Sequence, residues 1–172
     1  MNIVLRPLTL ADKDAFFEGV QLFSDMDLDW YTFAWKEGMS FEDHLKVIDD
    51  EFNGKDLPET RVPASMLYAF LEGKIVGRSS IRHKLNDYLF VRGGNIGYAV
   101  ATMFRNRGIA TEILRQTLIY CKEILKLEKV LITCSDDNTG SYKAIEKNGG
   151  VLENKHISDD GTEISRRYWI EL

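Results

Sequence analysis

The stretch from Asn95 to Asn148 constrains the fold more tightly than any other part of the chain. Ile109 to Lys126 carries Ile109, Ile113, Leu114, Leu118, Cys121 and Leu125 on one stripe, the period of an amphipathic helix. Before it, Asn95 to Ala101 alternates Ile96, Tyr98 and Val100 with smaller residues, as a half-buried strand does. After it, Val130 to Cys134 is an apolar run of strand length, and Asn138 to Asn148 predicts a helix that stops at Gly149-Gly150. Strand, helix, strand and helix in this order place the chain among α/β folds.

The flanks extend this pattern. Residues 2 to 6 predict a strand, and Pro7 and Thr9 set up a helix from Ala11 to Phe23 with Ala15, Phe16, Val20 and Phe23 inward. Acids alternate with large apolar residues from Ser24 to Tyr31, which predicts an irregular loop. Ser40 with Asp43 opens a second helix that Asn53-Gly54 closes. Met66 to Leu71 and Lys74 to Ile81, joined by Glu72-Gly73, predict an antiparallel hairpin. Val151 to His156 and Ser165 to Leu172, around the turn Ser158-Asp159-Asp160-Gly161-Thr162, predict a closing hairpin.

No stretch is poor enough in apolar residues to be a long linker, so residues 1–172 are expected to form one domain. The N-terminus lacks an apolar run of signal-peptide length, and no window approaches the roughly 20 apolar residues of a membrane span. Two cysteines, Cys121 and Cys134, are too few for a disulfide framework. A cytoplasmic protein with no membrane partner is the expectation. The net charge of -5, from 27 acids against 22 bases, disfavours nucleic acid as partner and suits an amine substrate better. No metal-binding spacing, Walker loop or dinucleotide fingerprint occurs, so no metal is expected.

Chemistry concentrates at Arg105-Asn106-Arg107-Gly108-Ile109-Ala110, between the strand ending near Ala101 and the long helix. The amides of residues 106 to 111 open a helix N-terminus, where N–H groups lack intrahelical partners and the helix dipole favours an anion. Gly108 and the small Ala110 let a pyrophosphate approach, and Arg105 and Arg107 add positive charge. The plainer alternative is a tight strand-to-helix turn beside two solvated arginines.

Arg-x-x-Gly-x-Ala in this setting resembles the coenzyme A signature of the GCN5-related N-acetyltransferases. Asn138, Ser141, Lys147 and Gly149 fit that family's pattern in the next helix, and the predicted element order resembles the family fold from end to end. The stretches IRHKLNDY, TCSDDNTGSYKAIEKNGGVLEN and RRYWI resemble a bacterial subgroup of predicted acetyltransferases. The resemblance implies a central mixed, mostly antiparallel twisted sheet with helices on both faces. It also implies that the strands ending at Val100 and Cys134 splay apart around the pantetheine arm of acetyl-CoA. The cofactor residues it implies are Val100, Ala101, Thr102, Arg105, Asn106, Arg107, Gly108, Ile109, Ala110, Thr111, Asn138 and Ser141. Thr102 stands where many relatives carry proline. Pairing as a homodimer is common in the family.

Direct transfer from a thioester needs a neutral amine, so a base must take its proton and a donor may serve the leaving thiolate. The register at which many relatives carry a catalytic tyrosine falls on Ile145, and the customary carboxylate position holds Asn95. Three candidates remain: His83, able to accept a proton near neutral pH, Tyr98 on the cofactor strand, and Tyr142 near the face of Asn138. Cys134 is expected to be an inert thiol. By resemblance the loop after the first helix walls the acceptor pocket, with Asp25, Asp27, Asp29, Trp30, Tyr31 and Trp35 suited to an ammonium group. The plainer reading makes these aspartates a solvated face. The function implied is acetyl transfer from acetyl-CoA to a primary amine of a small molecule, peptide N-terminus or lysine. The alternatives are a non-catalytic acyl-CoA-binding module and a domain that binds another anion.

Overall fold

The computed structural model describes residues 2–158 and 160–172, so Asp159 of the expected closing turn lies outside the described residues. The chain runs β1 (Val4–Arg6), a short 3₁₀ turn (Leu10–Asp12), α1 (Lys13–Leu22), α2 (Leu28–Thr32), α3 (Phe41–Asn53), β2 (Ala64–Leu71) and β3 (Lys74–Arg82). It continues with α4 (Asp87–Val91), β4 (Ile96–Val100), a second 3₁₀ turn (Thr102–Phe104), α5 (Ile109–Glu123), β5 (Lys129–Ser135), α6 (Thr139–Lys147), β6 (Val151–Ile157) and β7 (Ile164–Glu171).

Local chemistry explains most boundaries. The Ser40 hydroxyl accepts from the Asp43 amide at 3.0 Å to start α3, and Gly54, at φ 69°, ends it in the left-handed region. Glu72 and Gly73 both have positive φ, 50° and 81°, the backbone a two-residue hairpin between β2 and β3 requires. At the start of α1 the Asp12 carboxylate accepts the Thr9 amide at 2.7 Å and takes both terminal nitrogens of Arg6, tying β1 to α1.

The strands form two antiparallel ladders, ordered β1-β2-β3-β4 and β5-β7-β6. Alternation along β2 and β3 divides the packing. Met66, Tyr68 and Phe70 meet Phe16, Tyr31 and Phe41 of α1 to α3 on one face. Leu67 and Ile81 meet Leu114 and Cys121 of α5 on the other. Helices therefore cover both faces, as expected of the mixed α/β class.

Four details differ from the sequence reading. The Ser24–Tyr31 stretch is not wholly irregular: Asp27 caps the short α2, accepting the Trp30 amide at 3.0 Å, because burying Tyr31 and Thr32 demands a turn there. Asn86 likewise caps α4, which has no periodic signal of its own. The long helix stops at Glu123, and Lys126 has a positive φ of 56°. The closing hairpin forms, but β7 inserts between β5 and β6. Strand β7 carries the buried Tyr168 and Ile170, whereas β6 is exposed along nearly its whole length and suits an edge.

Candidate active site

Asn95 sets the geometry of the site. Its amide donates to the Leu131 carbonyl at 2.7 Å, and its side-chain Oδ1 accepts the Leu131 amide at 2.8 Å. Its Nδ2 donates to the Arg82 carbonyl at 3.1 Å while its own carbonyl accepts the Arg82 amide at 2.7 Å. One buried side chain thus staples β5 to the β3–β4 ladder. A carboxylate could not supply the Nδ2 donor, which gives asparagine at this position a structural reason. Beyond the staple and the neighbouring Gly94–Ile132 bridge, no hydrogen bond joins β4 to β5 among the described residues. The two strands part there.

The gap exposes specific main-chain groups. The Ala101 amide donates to Val76 at 3.0 Å and the Arg82 amide to Asn95 at 2.7 Å, so Gly97, Ala99 and Ala101 address β3. Tyr98 and Val100 alternate with them and turn their main-chain groups toward β5. Arg105 Nε donates to the Val100 carbonyl at 3.1 Å, which leaves the Val100 amide to face the gap.

A cleft of about 530 Å³ opens from this gap along the N-termini of α5 and α6. Asn106, with φ 61°, and Gly108, with φ 78°, turn the chain so that the amides of Ile109, Ala110 and Thr111 precede the first helical bond, from Glu112 to Gly108. No side chain caps this helix start among the described residues. Apart from Gly108 and its chain neighbours, no heavy atom among the described residues lies within 4 Å of where a Gly108 Cβ would stand. Among the described residues the cleft lining includes Arg105, Lys143 and Lys147 and no carboxylate, in a chain whose net charge is -5. Unpaired amides, a helix dipole and three cations without an acid make the cleft a site for a multiply charged anion. The residues present therefore fit the pyrophosphate and amide-rich arm of a coenzyme A thioester.

The expected cofactor residues divide in three ways. Val100, Arg105, Asn106, Gly108, Ile109, Ala110, Thr111, Asn138 and Ser141 line the cleft together. Ala101 is fully buried with its amide engaged by β3, and Thr102 spends its carbonyl on the Arg105 amide; neither lines the cleft. Arg107 is exposed, its guanidinium 5.6 Å from the Phe104 ring centroid, and also lies off the lining. Asn138 Oδ1 caps α6 by accepting the Ser141 amide at 3.0 Å. Lys143 is a cleft residue that sequence reasoning missed; helical spacing from Asn138 could have found it, because its neighbour Lys147 was already in the motif.

Of the three candidate catalytic side chains, only Tyr98 reaches the cleft. Its hydroxyl lies 3.0 Å from Ser141 Oγ and 3.1 Å from the Ser141 carbonyl, and burial pushes its pKa to about 12. The phenol is neutral near pH 7. His83 instead pairs its Nε2 with Ser65 Oγ at 2.8 Å and sets its ring edge against Phe52, lining neither this cleft nor the second cavity. Tyr142 packs beside the core under the Arg166 guanidinium, 3.9 Å from its ring centroid. Burial raises the pKa of the Cys134 thiol, so it stays protonated.

The acceptor-wall residues scatter. Tyr31 is a core residue rather than a wall residue: it is fully buried, stacked 4.3 Å from Phe23, and its hydroxyl donates to the Phe16 carbonyl at 3.0 Å. Asp25, Asp27 and Asp29 are exposed and line neither cavity. Trp35 packs edge-on against Phe17. Trp30 alone lines a cavity, the second one, of about 300 Å³. Met26, from the same loop, lines the first cleft and touches Arg105 Nη2 at 3.3 Å.

The acetyltransferase (GNAT) domain family model matches residues 2–151, and the chain belongs to that family. Solved structures share its fold at low identity. Mycobacterium smegmatis RimJ, in complex with a coenzyme A disulfide, is 20% identical with a TM-score of 0.68, over 98% of this chain and 81% of that one. RimL, a ribosomal-protein alpha-N-acetyltransferase in complex with coenzyme A, is 17% identical with a TM-score of 0.66, over 100% and 95%. A spermidine N-acetyltransferase SpeG chimera from Vibrio cholerae and hSSAT is 15% identical with a TM-score of 0.64, over 99% and 96%. No helix among the described residues is long and apolar enough to cross a membrane.

Proposed function

We propose that this chain transfers the acetyl group of acetyl-coenzyme A to a primary amine by direct attack. The observation that carries the reading is the uncapped start of α5, opening into a cleft with three cations and no carboxylate. Bound acetyl-coenzyme A supplies an activated acetyl group as a thioester. The amides of Ile109, Ala110 and Thr111 hold its pyrophosphate, with Arg105, Lys143 and Lys147 supplying charge. The Val100 amide, facing the strand gap, serves as hydrogen-bond donor to the carbonyl oxygen as negative charge develops there.

Tyr98 is the one candidate for the leaving thiolate. A phenol whose pKa is about 12 lies roughly three units above an ordinary thiol, so outright proton transfer runs uphill and Tyr98 acts by donating a hydrogen bond. With His83 and Tyr142 away from the cleft, positioning of the two reactants carries the larger share of the acceleration. That same absence of a base from the cleft lining favours the second reading, a module that binds acyl-coenzyme A without turnover.

Isothermal titration with coenzyme A tests the cleft, and thiol release over protein N-termini, amino acids and polyamines tests the reaction. The panel spans the acceptors named for the structural relatives, ribosomal protein and spermidine. Binding of coenzyme A with no thiol release from any acceptor selects the non-catalytic reading. Failure to bind at millimolar concentration removes both.

A further inference from the structure

The second cavity lies on the face of β2 and β3 opposite α5, between α2, α3 and α4. Its charged lining is unbalanced: Arg61, Arg78 and Arg82 stand against a single acid, Glu51, and Arg61 already holds that acid at 2.7 Å. No ion pair engages Arg78 or Arg82 among the described residues.

Arg78 is only 2% exposed. Its Nε has no hydrogen-bond partner among the described residues, and its Nη2 meets only Met66 Sδ, at 2.5 Å. The guanidinium lies 4.5 Å from the Trp30 ring centroid and 5.3 Å from that of Phe33, contacts that offset only part of the cost of burying a cation. His44, pushed to about 4 by burial and by Arg78 itself, stays neutral beside it, and Asp27, whose field reaches Arg78, is exposed and occupied as the α2 cap. A buried guanidinium without an acid is an arrangement that an incoming anion completes, and its planar fork matches a carboxylate.

The cavity also adjoins the chemistry. Arg78 and Ser80 stand opposite Ala99 and Gly97 of β4, and Arg82 Nη1 lies 3.2 Å from where a Gly97 Cβ would be. Ala99, the strand partner of Arg78, lines the coenzyme cleft, so the two spaces draw on paired residues of β3 and β4.

We infer that this cavity is the acceptor site and that the acceptor amine carries a carboxylate, which Arg78 and Arg82 bind between the Trp30 and Phe33 rings. The inference rests on the acetyl-transfer reading and moves substrate recognition from the expected aspartates after α1, read as suited to an ammonium group, to arginines suited to a carboxylate. It is tested by titration calorimetry on the full chain with saturating coenzyme A. The ligands are apolar amino acids and dipeptides, the carboxamide of each, spermidine and phosphoethanolamine. The expected result is at least roughly tenfold tighter binding of each carboxylate than of its carboxamide. Arg78→Met, and separately Arg82→Gln, should erase that difference while coenzyme A affinity changes less than about twofold, since neither side chain lines the coenzyme cleft. The inference is overturned by equal binding of carboxamides, by tighter binding of spermidine or phosphoethanolamine, or by no binding of any ligand. Repeating the panel without coenzyme A separates the two readings: carboxylate selectivity in a chain that does not bind coenzyme A would refute acetyl transfer and leave the carboxylate site standing.

Discussion

Asn95, just before β4, and Tyr98, within it, do different work. Asn95 makes four hydrogen bonds that hold the fork between β4 and β5. Replacing it with Asp removes the donor to the Arg82 carbonyl and buries a carboxylate, and the expected loss is about 3 kcal/mol of unfolding free energy, read from urea titration. Tyr98 touches the cleft through a hydroxyl that Ser141 orients. Because its part is a hydrogen bond rather than proton transfer, Tyr98→Phe should lower kcat by about tenfold and leave the KM for acetyl-coenzyme A within about threefold. A loss near a thousandfold would instead mark it as a true general acid.

The start of α5 joins the fold to the proposed function. Gly108 has positive φ and no atom near its missing Cβ, so Gly108→Trp should place its ring in the cleft. Titration should show coenzyme A affinity falling more than about a hundredfold, with a stability cost of only about 1 kcal/mol from backbone strain. At the start of α1, the Arg6 guanidinium and the Thr9 amide hold the Asp12 carboxyl down at about 2, below the ordinary value of an aspartate. A carboxylate depressed in the folded state stabilises it above the unfolded pKa and loses that effect as pH falls through the folded one. Asp12→Asn should therefore cost about 2 kcal/mol at pH 7, with the gap to the parent closing between about pH 4 and pH 2 in denaturant titrations.

For the whole molecule, charge is distributed against its own total. The chain carries a net -5, yet the cleft at the start of α5 is lined, among the described residues, by cations without an acid. The attraction is partly exposed and so open to screening. Raising ionic strength from about 0.05 to 0.5 M should weaken coenzyme A binding by about tenfold, measured by calorimetry. Insensitivity to salt would mean that buried amides alone hold the pyrophosphate.

What the amino-acid order determined is what neighbours in sequence decide. The apolar stripe of α5 as far as Cys121, the Ser40 cap, the Glu72-Gly73 turn and the strand-to-helix turn at Arg105–Ala110 all depend on residues within a turn or two of one another, and each forms where it was read. The tertiary structure decided the rest. Asn95 became a staple only because Leu131 and Arg82 meet it from distant strands. His83 and Tyr142 stand away from the cleft, held by Ser65 and beneath Arg166, and Tyr31 left the surface for a slot beside Phe23. The isolation of Arg78 reflects the absence, among the described residues, of an acid paired with it, and packing across strands and layers is a property of the folded chain that no local pattern encodes.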